Sequence, residues 1–572
     1  MPNSPIVQPE SPQAHNQLDE MLDLLKPHLP EAEDDSRSKA PQIGWMELHS
    51  MPPSAFTAKF LTAKWDGEGG TIAHAAASYG LLKRFPGHLL TTKVVRRADA
   101  TRVTVAHIAA RQGCLDQIPE HLLTEDIIAL TDRNGNTVAH EAAMKDRYHG
   151  GLEHIPRPLL TEDLVARTNK AGNSVAHVAA RSGSIGCIPM TSLTPSVLAA
   201  KDNKKRTVVQ VAAQFGHLSH ALAIAIPEGA YDLRDTGGNT ILHQAARFKQ
   251  LDLIPRCLLT EERLLLPNRE GLNVVAMAAK YRTLDQVPAS ILTHEVLSTP
   301  IGVTKYGIRG EMCIAHIAAE AGSLDQIPNQ VLTPEFCRLF NHQGQTVAHV
   351  AASHGHLDQV PKQILARDLI YLRDKRGNSV ARSAVAAHGL SHIPTELITS
   401  ELLADVDSDG HRLILAIAQS SQMDRVPAAA LTVNLIGGVK GESDWSPAWW
   451  AAHNAQLTYI PAHLLTPEII GAGAIDGYNV AHAAVGTRYD KDWDFSQFHH
   501  IPVRSLSASV LKMRNREGYT PLDRLPQEHV ERLAARVQAE AEAQTLRAPL
   551  TPPVIHEDTK VVPLPAPSVG EP

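Results

Sequence analysis

The chain has 572 residues, of which 43% are hydrophobic and 4% aromatic, and its formal net charge is −7. This charge excludes a global basic field, so neither nucleic acid nor an anionic membrane surface is an expected partner. The sequence contains no run of about 18 apolar residues, which excludes a membrane-spanning helix. The five cysteines form no C-x-x-C pair and are expected to be free thiols in the cytoplasm.

The N-terminal segment, residues 1–42, is polar, acidic and rich in Pro, and it is predicted to be disordered. Within it, residues 15–29 place Leu18, Met21, Leu22 and Leu25 at helical spacing. This short helix either docks on another protein or folds back on the chain. The first residues have no basic start and no apolar run, so no secretory signal is expected. Residues 43–70 are predicted to form a half repeat that caps the region after it.

Residues 71–525 contain an internal repeat. A Thr/Ser-Val-Ala-His phrase recurs, and the place of its His can be followed along the chain at His74, His107, His140, His177, Gln210, His243, Ala276, His316, His349, Arg382, Leu415, Trp449, His482 and Asp523. Most of these places are 33 residues apart. A constant period of this length is typical of repeat architectures, so the region is predicted to hold about fourteen repeats.

A second landmark is a Pro that falls twelve residues after most of these places, as in Ile118-Pro119, and that usually precedes x-x-Leu-Leu-Thr. A Pro inside a helix costs about 3 kcal/mol, so these residues are not expected in helix interiors. We predict a short outer helix capped by Asp116, with Pro119 in its first turn. Thr124 and its equivalents are predicted to cap an additional helical turn. Each repeat is then predicted to contain a long inner helix, a short outer helix and this extra turn.

The period and the pattern D-x-x-G-x-T-x-x-H-x-A-A resemble the ankyrin repeat family, as Asp132, Gly135, Thr137 and His140 illustrate. The Ile-Pro-x-x-Leu-Leu-Thr phrase departs from ordinary units and resembles divergent bacterial ankyrin-repeat proteins. The resemblance covers roughly residues 66–525 and implies an all-α, ankyrin-like helical solenoid of about fourteen 33-residue repeats. It also implies that each His ties the turn before its helix to the adjacent repeat. From the residues themselves, Gly135 is expected at positive φ and Thr137 as a helix cap.

The C-terminal end is charged and rich in Ala over residues 526–548, which predicts a single helix that caps the repeats. Residues 549–572 carry seven prolines and are predicted to form an extended, disordered tail.

No motif for nucleotide or metal chemistry is present, and we expect no enzyme activity, no cofactor and no metal site. Eight of the thirty histidines recur at one position per repeat, and positions one repeat apart are too far from each other to share one metal ion. The pairs His354/His356 and His499/His500 are not assigned to metal. An enzyme with its site in the irregular segments 299–311 or 486–500 is the alternative of a different class.

The expected function is that of a monomeric scaffold, which binds a protein partner on its concave face and on inserted loops. Aromatic and Arg side chains in the irregular segments are the candidate contacts, because these residue types are common binding hot spots. They are Arg147, Tyr148, Trp445, Arg488, Tyr489, Trp493 and Phe495. A further insertion covers residues 299–310, and Trp449 and Trp450 are predicted to fill the core. An alternative within the same class is a bacterial effector that a dedicated secretion system delivers into a host cell.

Overall fold

A computed structural model describes residues 45–52, 56–66, 69–144, 151–301, 312–438, 445–472, 477–486 and 495–547. The predicted disordered segments, the helix over 15–29 and most of the three insertions lie outside these residues. The described residues divide into two compact units, Met1–His217 and Leu218–Pro572. Within these ranges the secondary structure is helical, with isolated antiparallel β-bridges and no strand, which confirms the all-α prediction.

The inner helices carry the repeated His position. In the first unit they are Ile72–Ser78, Val105–Arg111, Val138–Ala143, Val175–Ser182 and Val208–Gln214. In the second unit they are Ile241–Arg247, Val274–Tyr281, Ile314–Ala321, Val347–Ser353, Val380–Ala386, Leu413–Gln419, Pro447–His453 and Val480–Ala484. They have five to eight residues, so the expectation of a long inner helix is wrong. In Val175–Ser182, the Ser174 hydroxyl caps the start and Gly183, at φ 83°, ends the helix after two turns.

The segment around the repeated Pro forms 3-10 turns instead of the predicted outer helix. Pro119 separates the turn Leu115–Gln117 from the turn Glu120–Leu122, and Asp116 lies inside the first turn, whose cap is Cys114. The prediction of an Asp-capped helix with Pro in its first turn is therefore wrong. The physical reason is that a Pro ring disfavours helical geometry in the residue before it, so Ile118 becomes extended and ends the turn.

Equivalent 3-10 turns recur in most repeats. In the first unit they include Leu82–Arg84, Gly87–Leu89, Leu152–His154, Arg157–Leu159 and Ile185–Cys187. In the second unit they include Glu228–Asp232, Leu251–Leu253, Arg256–Leu258, Leu284–Gln286, Leu324–Gln326, Leu357–Gln359, Leu390–His392, Thr395–Leu397, Met423–Arg425, Ala428–Ala430, Leu457–Tyr459 and Val503–Ser505. The 3-10 turn Pro521–Arg524 instead takes the inner-helix position of the last repeat, which holds Asp523. One repeat among those described in full differs, because its Pro, Pro227, comes later in the repeat than the Pro of the others. In this repeat an α-helix, His220–Ala225, precedes the Pro.

A short α-helix follows the Thr after the Leu pair, as predicted, but Thr124 makes no capping bond to its helix, contrary to the prediction. Thr161 and Thr333 each accept a hydrogen bond from the backbone N–H three residues later. In the first unit these helices are Thr92–Val95, Glu125–Ile128, Glu162–Ala166 and Pro195–Ala199. In the second unit they are Glu261–Leu264, His294–Ser298, Pro334–Cys337, Arg367–Ile370, Ser400–Leu403, Val433–Ile436, Pro467–Gly471 and Ala508–Lys512.

Small residues allow consecutive inner helices to stack in chain order within each unit. Ala109 and Ala110 are fully buried, and the equivalent Ala pairs are buried in most other repeats. Because Ala projects only a methyl group, the helix backbones approach closely, and Leu, Ile and Val from the turns fill the remaining core.

Further helices lie at the two ends of the repeats. Trp45–Ser50 and Ala58–Leu61 precede the first repeat, where Phe56 packs edge-to-face on Phe85 with ring centroids 4.8 Å apart. At the other end, Ser496–His500 and the predicted C-terminal helix, observed at Gln527–Arg547, follow the last inner helix.

Candidate partner-binding surfaces

A tight turn, here called the finger, precedes each inner helix. In the finger before Val138–Ala143, one Asp132 carboxylate oxygen accepts the backbone N–H groups of Asn134 and Asn136, both at 2.8 Å. Gly135 adopts φ 77°, as predicted. The next finger then bonds to this one, because the Lys170 N–H donates to the Asn134 carbonyl at 3.0 Å. Backbone bonds of this kind hold several pairs of successive fingers in register, at Thr101/Arg133, Asn134/Lys170, Gly237/Arg269 and Gln343/Lys375.

The repeated His joins each inner helix to the following finger. The Thr104 backbone N–H donates to His107 Nδ1 at 3.2 Å, and His107 Nε2 lies 3.2 Å from the Asn136 carbonyl in the next repeat. Because Nδ1 accepts, Nε2 carries the proton and donates. All eight predicted histidines make this link to a carbonyl: His74, His107, His140, His177, His243, His316, His349 and His482.

These buried histidines are neutral and structural. Burial lowers the pKa of His107, and it lowers the pKa of His243 to about 4. Both ring nitrogens already have partners within the repeat frame, so neither is free to bind a metal ion. The linking role that the resemblance implied for these side chains is confirmed.

Two repeats replace the His and keep part of its bonding. Gln210 accepts the Thr207 N–H at 2.8 Å and so preserves the cap of its helix. The Arg382 guanidinium donates to the carbonyl of His411, which is the bond that His makes elsewhere, and also pairs with Asp407 at 3.0 Å. The link to the next finger therefore survives a change of residue type.

Cys313 and His316 form a pair that looks at first like a catalytic dyad. The Cys313 sulfur lies 2.9 Å from His316 Nδ1, but it occupies the capping position that Thr holds in other repeats. Both side chains are buried, burial raises the pKa of the Cys313 thiol, and His316 Nε2 bonds the Gln345 carbonyl. A buried neutral thiol is a poor nucleophile, so we assign this pair to structure.

Trp445 lies in an aromatic cluster of the second unit. Its ring is 4.0 Å from that of Trp449 and 6.3 Å from that of Tyr478. Trp449 is 7% exposed, as expected for a core residue, whereas Trp445, Trp450 and Tyr478 are half-buried. The indole N–H groups of Trp449 and Trp450 find no acceptor among the described residues. Trp445 is thus held rigidly at the edge of the core with part of its ring accessible.

Phe495 faces the C-terminal helix. Its ring centroid lies 5.1 Å from that of His529. The His529 ring stacks on the ring of His499, and His499 Nε2 lies 2.7 Å from His529 Nδ1. Arg536 from the same helix donates to the Ile501 carbonyl at 2.8 Å. Phe495 therefore contributes to docking the helix as well as to the half-exposed surface, a role that the sequence did not indicate.

The remaining predicted contacts are Arg147, Tyr148, Arg488, Tyr489 and Trp493, and they lie outside the described residues. Trp445 and Phe495 belong to separate clusters, the first on an inner helix and the second beside the C-terminal helix.

A surface that was missed at the sequence level lies at the ends of two stacked inner helices of the second unit. Arg247-Phe248-Lys249 and Lys280-Tyr281-Arg282 stand 33 residues apart, and we call these six residues the basic–aromatic patch. The Arg247 guanidinium lies 5.3 Å from the Phe248 ring centroid and 5.4 Å from the Tyr281 ring centroid, so it connects the two repeats. The recurrence of one triplet pattern at the repeat period was the available signal.

Two other groups of charged residues in the described structure are paired among themselves. Asp407, Asp409 and His411 bring ligand-type atoms within 4.8 Å, but Asp407 is the finger carboxylate and already pairs with Arg382. A cavity of about 510 Å³ is lined by Glu228, Asp232 and Arg263 among others, and Arg263 bonds both acids, at 3.2 and 3.0 Å.

No protein-family model matches the sequence, and no curated protein shows significant similarity to it. In the ranges that the structure covers, no helix has the length and apolar character that crossing a bilayer requires.

Proposed function

We propose that the protein is an ankyrin-like scaffold that binds a polypeptide partner and performs no chemistry of its own. The observation that carries the proposal is the repeated finger frame. The eight His residues of the frame are buried, the Asp or Asn of each finger is buried or half-buried, and each kind makes the same hydrogen bonds from repeat to repeat, whereas the exposed side chains beside them differ. A constant frame with a variable surface is the arrangement that repeat proteins use for binding.

The proposal that no catalysis occurs rests on the state of the reactive groups. The buried histidines have both nitrogens bonded, Cys313 is a buried thiol with a raised pKa, and in the 510 Å³ cavity Arg263 pairs with Glu228 and Asp232. A catalytic acid, base or nucleophile needs access to a substrate atom, and none of these groups offers it.

Trp445 is the proposed contact that the described structure supports best. A half-buried Trp packed against a buried Trp is pre-organised, so little side-chain freedom is lost when a partner covers it. The inserted segments 145–150 and 487–494 remain proposed contacts through Arg147, Tyr148, Arg488, Tyr489 and Trp493.

The test uses the full chain, immobilised to recover partners from its native source, followed by binding measurements with each partner in purified form. We expect saturable binding of a polypeptide, and we expect Trp445→Ala to weaken it about tenfold. Tyr459→Ala is the matched control, because Tyr459 is an exposed aromatic residue on a 3-10 turn of the same unit. Recovery of no polypeptide, or turnover of a small molecule by the chain, would overturn the proposed function.

A further inference from the structure

We propose that the basic–aromatic patch binds an acidic polypeptide segment that also carries an aromatic or large apolar side chain. This inference rests on the proposed function and specifies the chemistry of the partner.

The positive charges of the patch are not used within the protein. Arg247, Lys249, Lys280 and Arg282 are exposed, and none of them forms an ion pair with a described residue. The whole chain carries a net charge of −7, whereas these four cations lie together on two adjacent repeats and give this area a local positive charge. An acidic segment would be attracted to this area and repelled by most of the remaining surface.

The aromatic rings of the patch give it an apolar floor. Phe248 is 37% exposed and Tyr281 is half-buried. Arg247 lies over both rings, and Lys280 Nζ lies 5.8 Å from the Tyr281 ring centroid. Cation–π contacts hold the cations and the rings in fixed relative positions, which lowers the entropy that binding must remove.

Helix stability alone explains only part of this arrangement. Cations at the end of a helix interact favourably with its dipole, which accounts for Arg247 and Lys280. It does not account for an exposed aromatic ring beside each of them. Lys249 and Arg282 also adopt a left-handed backbone, each at φ 58°. The equivalent residue is Gly in six other repeats: Gly80, Gly113, Gly183, Gly216, Gly322 and Gly355.

The left-handed position by itself does not select a cation. His388, Ser421 and Ala455 occupy it in later repeats. What distinguishes the patch is that two neighbouring repeats both place a cation there, and both place an aromatic residue and a second cation immediately before it. Because a non-Gly residue is less favourable than Gly at this φ, the paired cations are retained at a cost in stability.

A polypeptide fits the patch better than a nucleic acid. The triplets cover only two repeats, and exposed acids, Asp252 and Asp285, follow in the next turns. A nucleic acid strand needs a continuous cationic track for its phosphates, and the cations of the patch extend over two repeats only. An extended acidic segment advances about 3.3 Å per residue, so three or four residues span neighbouring helices roughly 10 Å apart.

The test selects from a displayed library of random peptides, each about twelve residues long, on the full-length protein. Selected peptides are then synthesised, labelled and titrated against three forms of the protein. The first is the wild type, and the second is the patch variant R247E/K249E/K280E/R282E. The third is the control variant K59E/K83E/K93E/R96E, which reverses four exposed cations of the first unit and therefore changes net charge equally. Circular dichroism checks that all three forms retain their helix content.

We expect the selected peptides to have an excess of Asp and Glu and at least one aromatic or large apolar residue. The patch variant should bind them at least about tenfold more weakly, and the control variant less than about twofold more weakly. Raising the salt concentration from about 50 mM to about 300 mM should weaken wild-type binding. F248S/Y281S should also weaken binding while the salt dependence persists.

Peptides that lack an acidic excess, or that bind the patch variant as well as the wild type, would overturn this inference and leave the proposed function intact. Failure to select any peptide would count against the proposed function itself. A labelled single-stranded oligothymidylate of similar length is titrated alongside, and tighter binding of this strand through the patch would overturn the inference in favour of a nucleic acid ligand.

Discussion

At the residue scale, the repeated His performs two tasks with one ring. Its Nδ1 accepts the backbone N–H of the capping residue, and its Nε2 donates to a carbonyl in the next finger. The first bond fixes where the inner helix begins, and the second joins that helix to its neighbour. Substitution therefore removes an internal bond and leaves a buried carbonyl without a donor.

His349→Ala tests this double role. His349 is fully buried, and its Nε2 lies 3.1 Å from the Asn378 carbonyl. We expect the free energy of unfolding, measured by urea titration, to fall by about 1–3 kcal/mol because the carbonyl becomes unsatisfied. His463→Ala is the control, since His463 is exposed, and should change it by less than about 0.5 kcal/mol. Equal effects from the two variants would contradict the structural role.

The neutral state of the buried histidines also predicts a pH dependence. Burial lowers the pKa of His243 to about 4, whereas the unfolded chain has the ordinary value near 6.5. Above that value both states are neutral. As the pH falls below it, the unfolded state binds the proton first, so stability decreases until the pH reaches the folded value.

Between pH 7 and pH 5, His243 alone should lower the free energy of unfolding by about 2 kcal/mol. Measuring stability at both pH values for the wild type and for His243→Gln gives its share, because Gln does not titrate. An unchanged pH dependence in the variant would contradict the assignment of a neutral buried ring.

At the element scale, the finger is the unit that sets the spacing of repeats. Gly237 accepts a backbone hydrogen bond from the Arg269 N–H at 2.9 Å, and adjacent fingers repeat this contact. Such close approach leaves little space beside the Gly at the tip of the turn. A Cβ on Gly238 would lie 2.9 Å from the Arg269 backbone nitrogen, whereas a Cβ on Gly410 would meet nothing within 4 Å.

Gly238→Ala and Gly410→Ala form a matched pair, because both residues have a left-handed backbone, at φ 78° and φ 82°. Each variant should lose about 1 kcal/mol from backbone strain. Gly238→Ala should lose at least about 1 kcal/mol more, because the clash is with backbone that can move only if the fingers separate. Thermal or urea unfolding measures the difference, and equal losses would show that the fingers are not in close contact.

The C-terminal helix docks through groups that carry like charge when protonated. The His499 ring stacks on the His529 ring. The pKa of His499 is lowered mainly by burial, and further by the neighbouring groups Arg532, His529, Arg536 and His500. No carboxylate is among the groups that act on His499. Acidification should therefore weaken the docking, because protonation of His499 adds a positive charge beside Arg532 and Arg536.

We expect backbone amides of Gln527–Arg547 to exchange with deuterium faster at pH 5 than at pH 7, after correction for the intrinsic effect of pH. His499→Gln removes one titrating ring and should reduce this change. Exchange that is equally protected at the two pH values would contradict the role of the His pair in docking.

The sequence predicted the elements whose signals are local. Thr161 and Gly135 act through residues within a few positions, and their roles follow from residue type, whereas the link of His107 to the next repeat was implied by the resemblance to ankyrin repeats. The outer segment was harder, because Asp116 and Pro119 fit both a capped helix and a pair of 3-10 turns. The constraint that Pro119 places on Ile118 decides between the two, and it acts on backbone angles that composition does not reveal.

The candidate surfaces were less predictable than the frame. Trp445 was found because Trp is rare in the chain, but the contact of Phe495 with His529 joins elements whose packing no repeat pattern specifies. The basic–aromatic patch depends on Arg247 and Tyr281 meeting across two repeats. Exposed side chains follow no periodic rule, so their juxtaposition required coordinates.

At the scale of the whole molecule, each compact unit is a row of short helices joined by the same three devices. An inner helix, one or two 3-10 turns around Pro and a second short helix follow one another, and backbone bonds connect several pairs of successive fingers. Contacts of this kind are mainly between neighbours, so exposed side chains can change without disturbing the frame. This separation of frame and surface is the basis of the proposed scaffold function.

Hydrogen–deuterium exchange of the intact chain, measured with and without a bound polypeptide, tests the scaffold proposal most directly. The account predicts slower exchange at finger turns and at the carboxyl ends of inner helices in several consecutive repeats, including the helices Ile241–Arg247 and Val274–Tyr281. Protection confined to the residues around a single cavity, such as Glu228 and Asp232, would contradict it and would point to a small-ligand site instead.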